Sequence, residues 1–132
     1  MRRLALVVAL LLFAGCGTAS PDLFEVKRSG EDRAANLTMV VNDGGEVTCN
    51  GREHPLDADR LLRARELSRE LADPAELGIE LPPGPGTNLS YVVRMEAGSV
   101  AFSDTSRGNP PEFQRLAAFT KDVAERVCGI VR

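Results

Sequence analysis

Two separate stretches of the chain alternate apolar and polar residues with a period of two, and each is followed by an apolar stripe at helical spacing. In the first, Leu37, Met39 and Val41 lead into Asn42-Asp43-Gly44-Gly45, and Val47 and Cys49 continue the same face beyond the turn, the mark of a β-hairpin. His54-Pro55 ends it. Asp57 is placed to cap the next segment, where Leu61, Ala64, Leu67, Ser68, Leu71 and Ala72 recur at helical spacing until Asp73-Pro74. In the second, Leu89, Tyr91, Val93 and Met95 alternate, Glu96 to Ser99 turn the chain, and Val100 and Phe102 answer them. Asn109 then caps, Pro110 takes the first helical position, and Glu112 completes a capping-box spacing. Phe113, Leu116, Ala117, Thr120, Val123, Ala124 and Val127 form a stripe that ends at Gly129.

Ahead of both units, Leu23 to Arg28 reads as a first strand with Phe24 and Val26 on one face, broken by Ser29-Gly30. Each strand has one apolar side and each helix one apolar stripe, which predicts an α+β fold in the order β-ββ-α-ββ-α. The expected architecture is an antiparallel sheet built from two β-hairpins plus an N-terminal strand, with two amphipathic helices packed on one face. The segments "NLTMVV" from Asn36 and "NLSYVV" from Asn88 begin matching units 52 residues apart. Duplication and a shared alternation rule both account for that likeness.

The beginning of the chain follows different rules. Arg2 and Arg3 precede an uncharged apolar run, Leu4 to Ala14, whose 11 residues are too few to cross a bilayer core of roughly 30 Å. This is the pattern of a signal peptide, with two candidate cuts: before Cys16, or after Ala19. Phe13-Ala14-Gly15-Cys16 resembles the lipobox of bacterial lipoproteins, with Phe13 where Leu is usual. The resemblance implies that Cys16 becomes the mature N-terminus and carries a thioether-linked diacylglycerol, whose two acyl chains suffice for stable anchoring. The resulting division is a signal peptide over residues 1–15, a lipidated tether over 16–22 and a single domain over 23–132. The partner implied is a membrane, met from the extracytoplasmic side of a bacterial cell envelope.

Three cysteines, Cys16, Cys49 and Cys128, leave an odd one in an exported chain. With Cys16 lipidated or removed, Cys49 on the inward face of its strand and Cys128 on the last helix's core stripe are left to pair, the alternative being two buried thiols. A bridge closing this 79-residue loop would stabilise the fold by about 4 kcal/mol in the chain-entropy model. Without Arg2 and Arg3, 14 basic residues face 19 acidic ones, a net charge of −5. Phosphate binding needs clustered Lys and Arg, so nucleic acid is not an expected partner.

Catalysis finds little in these residues. His54, the only histidine, has Glu53, Asp57 and Asp59 nearby, but acidic residues in a first helical turn are what capping and the helix dipole require. "GPGTN" at Gly84 to Asn88 lacks the Lys-Ser/Thr pair of a phosphate loop, and Ser103, Asp104, Thr105 and Ser106 have no second histidine to activate a hydroxyl. No catalytic residue, metal ligand or cofactor is expected. Binding through loops is the more economical reading, because a stapled core presents them rigidly. Leu77 to Asn88 is stiffened by Pro82, Pro83 and Pro85, and Ser103 to Pro111 carries Arg107 and Asn109 among small polar residues. Stiffened loops lose less entropy on binding.

The order strand, hairpin, helix, hairpin, helix, with "FEVKRSG" at Phe24, "YVV" at Tyr91 and "PPEFQRL" at Pro110, resembles the emfourin family of small bacterial proteins. That family includes protein inhibitors of thermolysin-type metalloproteases; the pair Cys49 and Cys128 and the lipobox are not part of its pattern. "TCNGREHP" at Thr48 resembles the Cys…His-Pro segment of bacterial subtilisin inhibitors, although the following helix here lacks the partner cysteine. Both resemblances imply a protein ligand, a secreted protease, bound by a non-catalytic module. An envelope structural or assembly accessory and a small enzyme are the competing classes.

Overall fold

The computed structural model describes residues 22–131. Residues 1–21, on which the expected signal peptide and all of the expected tether but Asp22 fall, Cys16 included, and Arg132 lie outside the described residues. The domain is α+β: a six-stranded antiparallel sheet and two helices. Strand β1 (Asp22–Gly30) pairs along one edge with β2 (Leu37–Asn42) and along the other with β5 (Leu89–Met95). With β3 (Glu46–Cys49), β4 (Arg52–Pro55) and β6 (Gly98–Ser103), the order across the sheet is β4-β3-β2-β1-β5-β6. The expected alternation is realised throughout, since Phe24, Val26, Met39, Val41, Val47, Tyr91, Val93, Val100 and Phe102 all turn into one core.

The sheet has one strand more than expected. Asn50 (φ 49°) and Gly51 (φ 83°) both occupy the left-handed region, forming a two-residue turn that sends Arg52–Pro55 back along β3. His54-Pro55, expected to end the strand run, therefore belongs to an edge strand, and the first hairpin is a three-stranded meander. The strand escapes a periodicity argument because Arg52-Glu53-His54-Pro55 has no apolar face. Its brevity, charge and terminal proline suit an edge that must not recruit another chain.

Helix α1 (Ala58–Glu76) begins as expected, with the Asp57 carboxylate accepting from the Arg60 amide at 3.0 Å. It does not stop at Asp73-Pro74. Pro74 lies in the last turn, and the true stop is Gly78, whose φ of 63° lets its amide reach Ala75 O while the Ile79 amide reaches Pro74 O. Helix α2 (Pro111–Arg126) starts one residue later than expected: Pro110 is the N-cap, Pro111 opens the helix, and Asn109 points elsewhere.

Both helices cross the strands on the core face. At about 1.5 Å per residue, the 19 residues of α1 span about 28 Å, close to the roughly 24 Å width of six strands. One end of α1 lies at the β2–β3 turn, where the Leu61 side chain meets Gly45. The other abuts the β5–β6 turn, where a Cβ on Gly98 would fall 2.1 Å from Ala75 O. Helix α2 runs antiparallel beside it, tied by Arg60 to Asp122 (2.8 Å) and by Arg115 to Glu70 (2.6 Å). Phe113 of α2 stacks on Phe102, which stacks on Tyr91, with ring centroids 4.8 and 4.9 Å apart. Cys49 and Cys128 form a disulfide that joins β3 to the segment after α2.

Two measurements test this framework. Cys49→Ala with Cys128→Ala should lower the unfolding free energy by about 2–5 kcal/mol in urea titration. Hydrogen bonding from Arg60, assisted by the charges of Arg126 and Arg63, holds the Asp122 carboxyl below its ordinary 3.8. Its stabilisation is therefore present above about pH 4 and lost as pH falls through the lower folded-state value. The urea midpoint of Asp122→Asn should accordingly fall less than that of the wild type between pH 6 and pH 3.

Candidate functional site

Strand β1 gives the domain two distinct ends. Asp22, its first residue, lies opposite Asn42, with the β5–β6 turn at the same end; Gly30, its last, lies opposite Leu89. The loops before β5 and after β6 therefore meet at the end remote from Asp22. These are the two proline- and polar-rich loops singled out in the sequence, and the structure joins them into one lobe.

The join begins at the sheet edge. After Gly78 the chain runs beside β6, where the Leu81 amide donates to Ala101 O and the Ala101 amide to Ile79 O, covering that edge. Beyond it, Ser106 Oγ donates to Pro82 O (3.0 Å) and accepts from the Ser103 amide (2.9 Å). Thr87 Oγ1 donates to Gly84 O (2.8 Å), so its 2.6 Å contact with Thr105 Oγ1 takes the proton from Thr105. The Asn88 amide donates to the Asp104 carboxylate at 3.2 Å. Gly84 is pressed against the facing loop so closely that a Cβ there would lie 2.0 Å from Thr105 O. Polar groups that a solvated loop would leave to water are thus paired across the two segments.

The five candidate residues divide within this lobe. Pro82, Pro83, Pro85 and Arg107 are exposed on its outside. Asn109 is half-buried and structural: its Nδ2 donates to Ser103 O at 2.9 Å, while Oδ1 is buried with no partner among the described residues. That bond explains why Asn109 does not cap α2. The sequence reading missed Gly84, Thr87, Ser103, Thr105 and Ser106 as the lobe's framework. The run of small hydroxyl residues beside Asp104 is the available signal, since such side chains bond to neighbouring backbone in turns.

The histidine and its acidic neighbours sit at the other end. His54 lies opposite Val47 on the edge strand, half-buried, beside a depression of ≈ 180 Å³ shared with Glu46, Glu53 and Pro55. Asp57 serves α1: hydrogen bonds from the Arg60 amide and guanidinium hold its carboxyl below the ordinary carboxylate range. Among the described residues no group of three or more His, Cys, Asp and Glu is disposed to hold a metal ion.

Gly84→Ala should separate the loops, because backbone rather than a flexible side chain occupies the space required. The expected readout is increased proteolysis within residues 82–88 and faster amide exchange at Asn88, with the exchange of β1 amides unchanged. The chain matches no family model, no curated protein and no solved structure.

Proposed function

We propose that this chain is a bacterial lipoprotein, held on the extracytoplasmic face of a membrane by diacylglycerol on Cys16, whose domain binds a protein ligand through the distal lobe without catalysing a reaction. The observation that carries the reading is the polarity of β1. Its first described residue follows Cys16 by six positions, and the lobe stands at its far end. Six residues reach at most about 20 Å, so the anchored domain stays near the bilayer. Nine residues of strand, at about 3.3 Å each, then set the lobe roughly 30 Å further out, where a soluble protein can meet it.

The lobe has the physical character of a binding loop. Its backbone is fixed by internal hydrogen bonds, it exposes three prolines and one arginine, and little order remains to be gained on association. Rigid exposed loops on a disulfide-bridged scaffold suit the inhibition of a secreted protease, the function implied by the emfourin-like order and by the Cys…His-Pro segment. The domain of such an inhibitor is a scaffold for loops, and the two helices and sheet serve that role here.

Intact mass spectrometry of the native membrane fraction tests the anchor. The expected mass is that of a chain beginning at Cys16 with a diacylglyceryl group and one disulfide; a chain beginning at Ser20 with no acyl group would overturn it. Inhibition by the lipidated protein in non-ionic micelles tests the ligand class. A thermolysin-type metalloprotease or a subtilisin-type serine protease should be inhibited below micromolar concentration, and Arg107→Ala should weaken this about tenfold, or roughly 1.4 kcal/mol. No inhibition of either class at 10 µM, as an order-of-magnitude ceiling on useful affinity, would remove the protease from the proposal.

A further inference from the structure

Beside the lobe, where α1 ends and α2 begins, the surface falls into a groove of ≈ 470 Å³. Half-buried Ile79 and Leu81 and the buried ring of Phe113 supply its apolar wall, and Leu77 stands at its lip with 77% of its surface exposed. A solitary exposed leucine means little on its own. Here it adjoins a recess that is already apolar. Leu77 owes its position to the helix stop at Gly78, so its side chain adds almost nothing to the core.

The rim is acidic. Asp73 and Glu112 face the groove and form no salt bridge among the described residues, Glu112 feeling the charge of Arg115 at longer range; Arg115 binds Glu70, also on the rim, at 2.6 Å, so three carboxylates against one guanidinium leave the rim net negative. No Lys or Arg lines the groove among the described residues. An apolar recess with a net negative rim complements one kind of occupant: an apolar side chain on a segment whose neighbours are cationic.

We propose that this groove receives one large aliphatic or aromatic side chain from a Lys/Arg-rich segment of the protein ligand, with Asp73 and Glu112 engaging the flanking cations. The inference rests on the protein-binding reading and supplies the chemistry of the partner's contact segment. Gly108 and Pro110 contribute to both lobe and groove, so one partner can occupy the two together.

The probe is a fluorescent pentapeptide, Lys-Arg-Leu-Lys-Arg, against its acidic counterpart Glu-Glu-Leu-Glu-Glu, with the lipidated full-length protein in non-ionic micelles. The basic peptide is expected to bind and the acidic one not. Raising salt from 20 to 300 mM should weaken binding several-fold, because the Debye length shrinks from about 20 Å to about 6 Å. Asp73→Lys with Glu112→Lys should weaken it at least tenfold, and the exposed substitution Leu77→Ser several-fold, with unchanged circular dichroism. Equal binding of both peptides, no binding of either, or full binding by the folded charge-reversed variant would each overturn the proposal. So would a dimer by light scattering that Leu77→Ser dissolves, which would make a second copy the occupant. The two readings fail separately: protease inhibition that survives the groove variants sinks only the groove, and peptide binding without inhibition removes only the protease.

Discussion

The structure depends on β1 being paired along both of its edges. Val26 faces Met39 on one neighbour and Val93 on the other, and Arg28 faces Leu37 and Tyr91. A slip of one residue would turn Phe24 and Val26 to solvent and bring Glu25 and Lys27 into the core, so burial specifies the register strongly. Without β1 the chain would hold two separate assemblies, the β2–β3–β4 meander and the β5–β6 hairpin, of which the two-stranded one is marginal alone. The third inward position of β1 is a cation, and it is accommodated at the end of the sheet: Arg28 Nε donates to Ala35 O at 2.8 Å and Nη2 to Ala34 O at 3.2 Å. A buried guanidinium needs such acceptors, and the single turn of 3₁₀ helix at Arg33–Ala35 supplies them.

The second layer holds the halves together from above. Helix α1 bridges from the β2–β3 turn to the β5–β6 turn, and α2 returns across the same strands, so every strand of the core lies beneath at least one helix. Contacts at the extremes fix this crossing. The disulfide holds the end of α2 to β3, and the close approach of Gly98 to Ala75 holds the end of α1 to β6. Covalent and steric constraint at the corners leaves the middle to ordinary apolar packing, seen in the Tyr91, Phe102 and Phe113 stack.

Much of this was legible because it obeys a period. The inward faces of β1, β2, β3, β5 and β6 and the α1 and α2 stripes follow from alternation or helical spacing; Cys49 and Cys128 meet as expected, but Cys128, expected on the last helix, lies two residues beyond its end at Arg126. What escaped lacks a period: β4 is a polar edge strand announced only by Asn50-Gly51, and the end of α1 is decided by Gly78 rather than by the earlier Pro74. The strands that carry "NLTMVV" and "NLSYVV", β2 and β5, both flank β1. Their registers differ, with Leu37 opposite Arg28 and Leu89 opposite Gly30, and the units have three strands and two. For the lobe, prolines marked its exposed surface, but the bonds that join its two loops link residues 16 to 25 positions apart, beyond the reach of a local signal.

That separation of framework from surface decides what the lobe can do. The groups that hold it are short: hydroxyls of Thr87, Thr105, Ser103 and Ser106, the amide of Asn109, and the backbone contact at Gly84. Short side chains have few rotamers to lose, so the lobe is ordered at little entropic cost. Of the residues it presents, Pro82 lends only its backbone carbonyl to Ser106 Oγ, and the side chains of Pro82, Pro83, Pro85 and Arg107 take no part in the hydrogen bonds that hold the lobe. A substitution on the outside therefore changes the contact surface while leaving its support in place, and one on the inside changes the support while leaving the chemistry of the surface in place. A loop pair built this way resembles the whole domain in miniature, with an invariant geometry beneath and an independent set of side chains above.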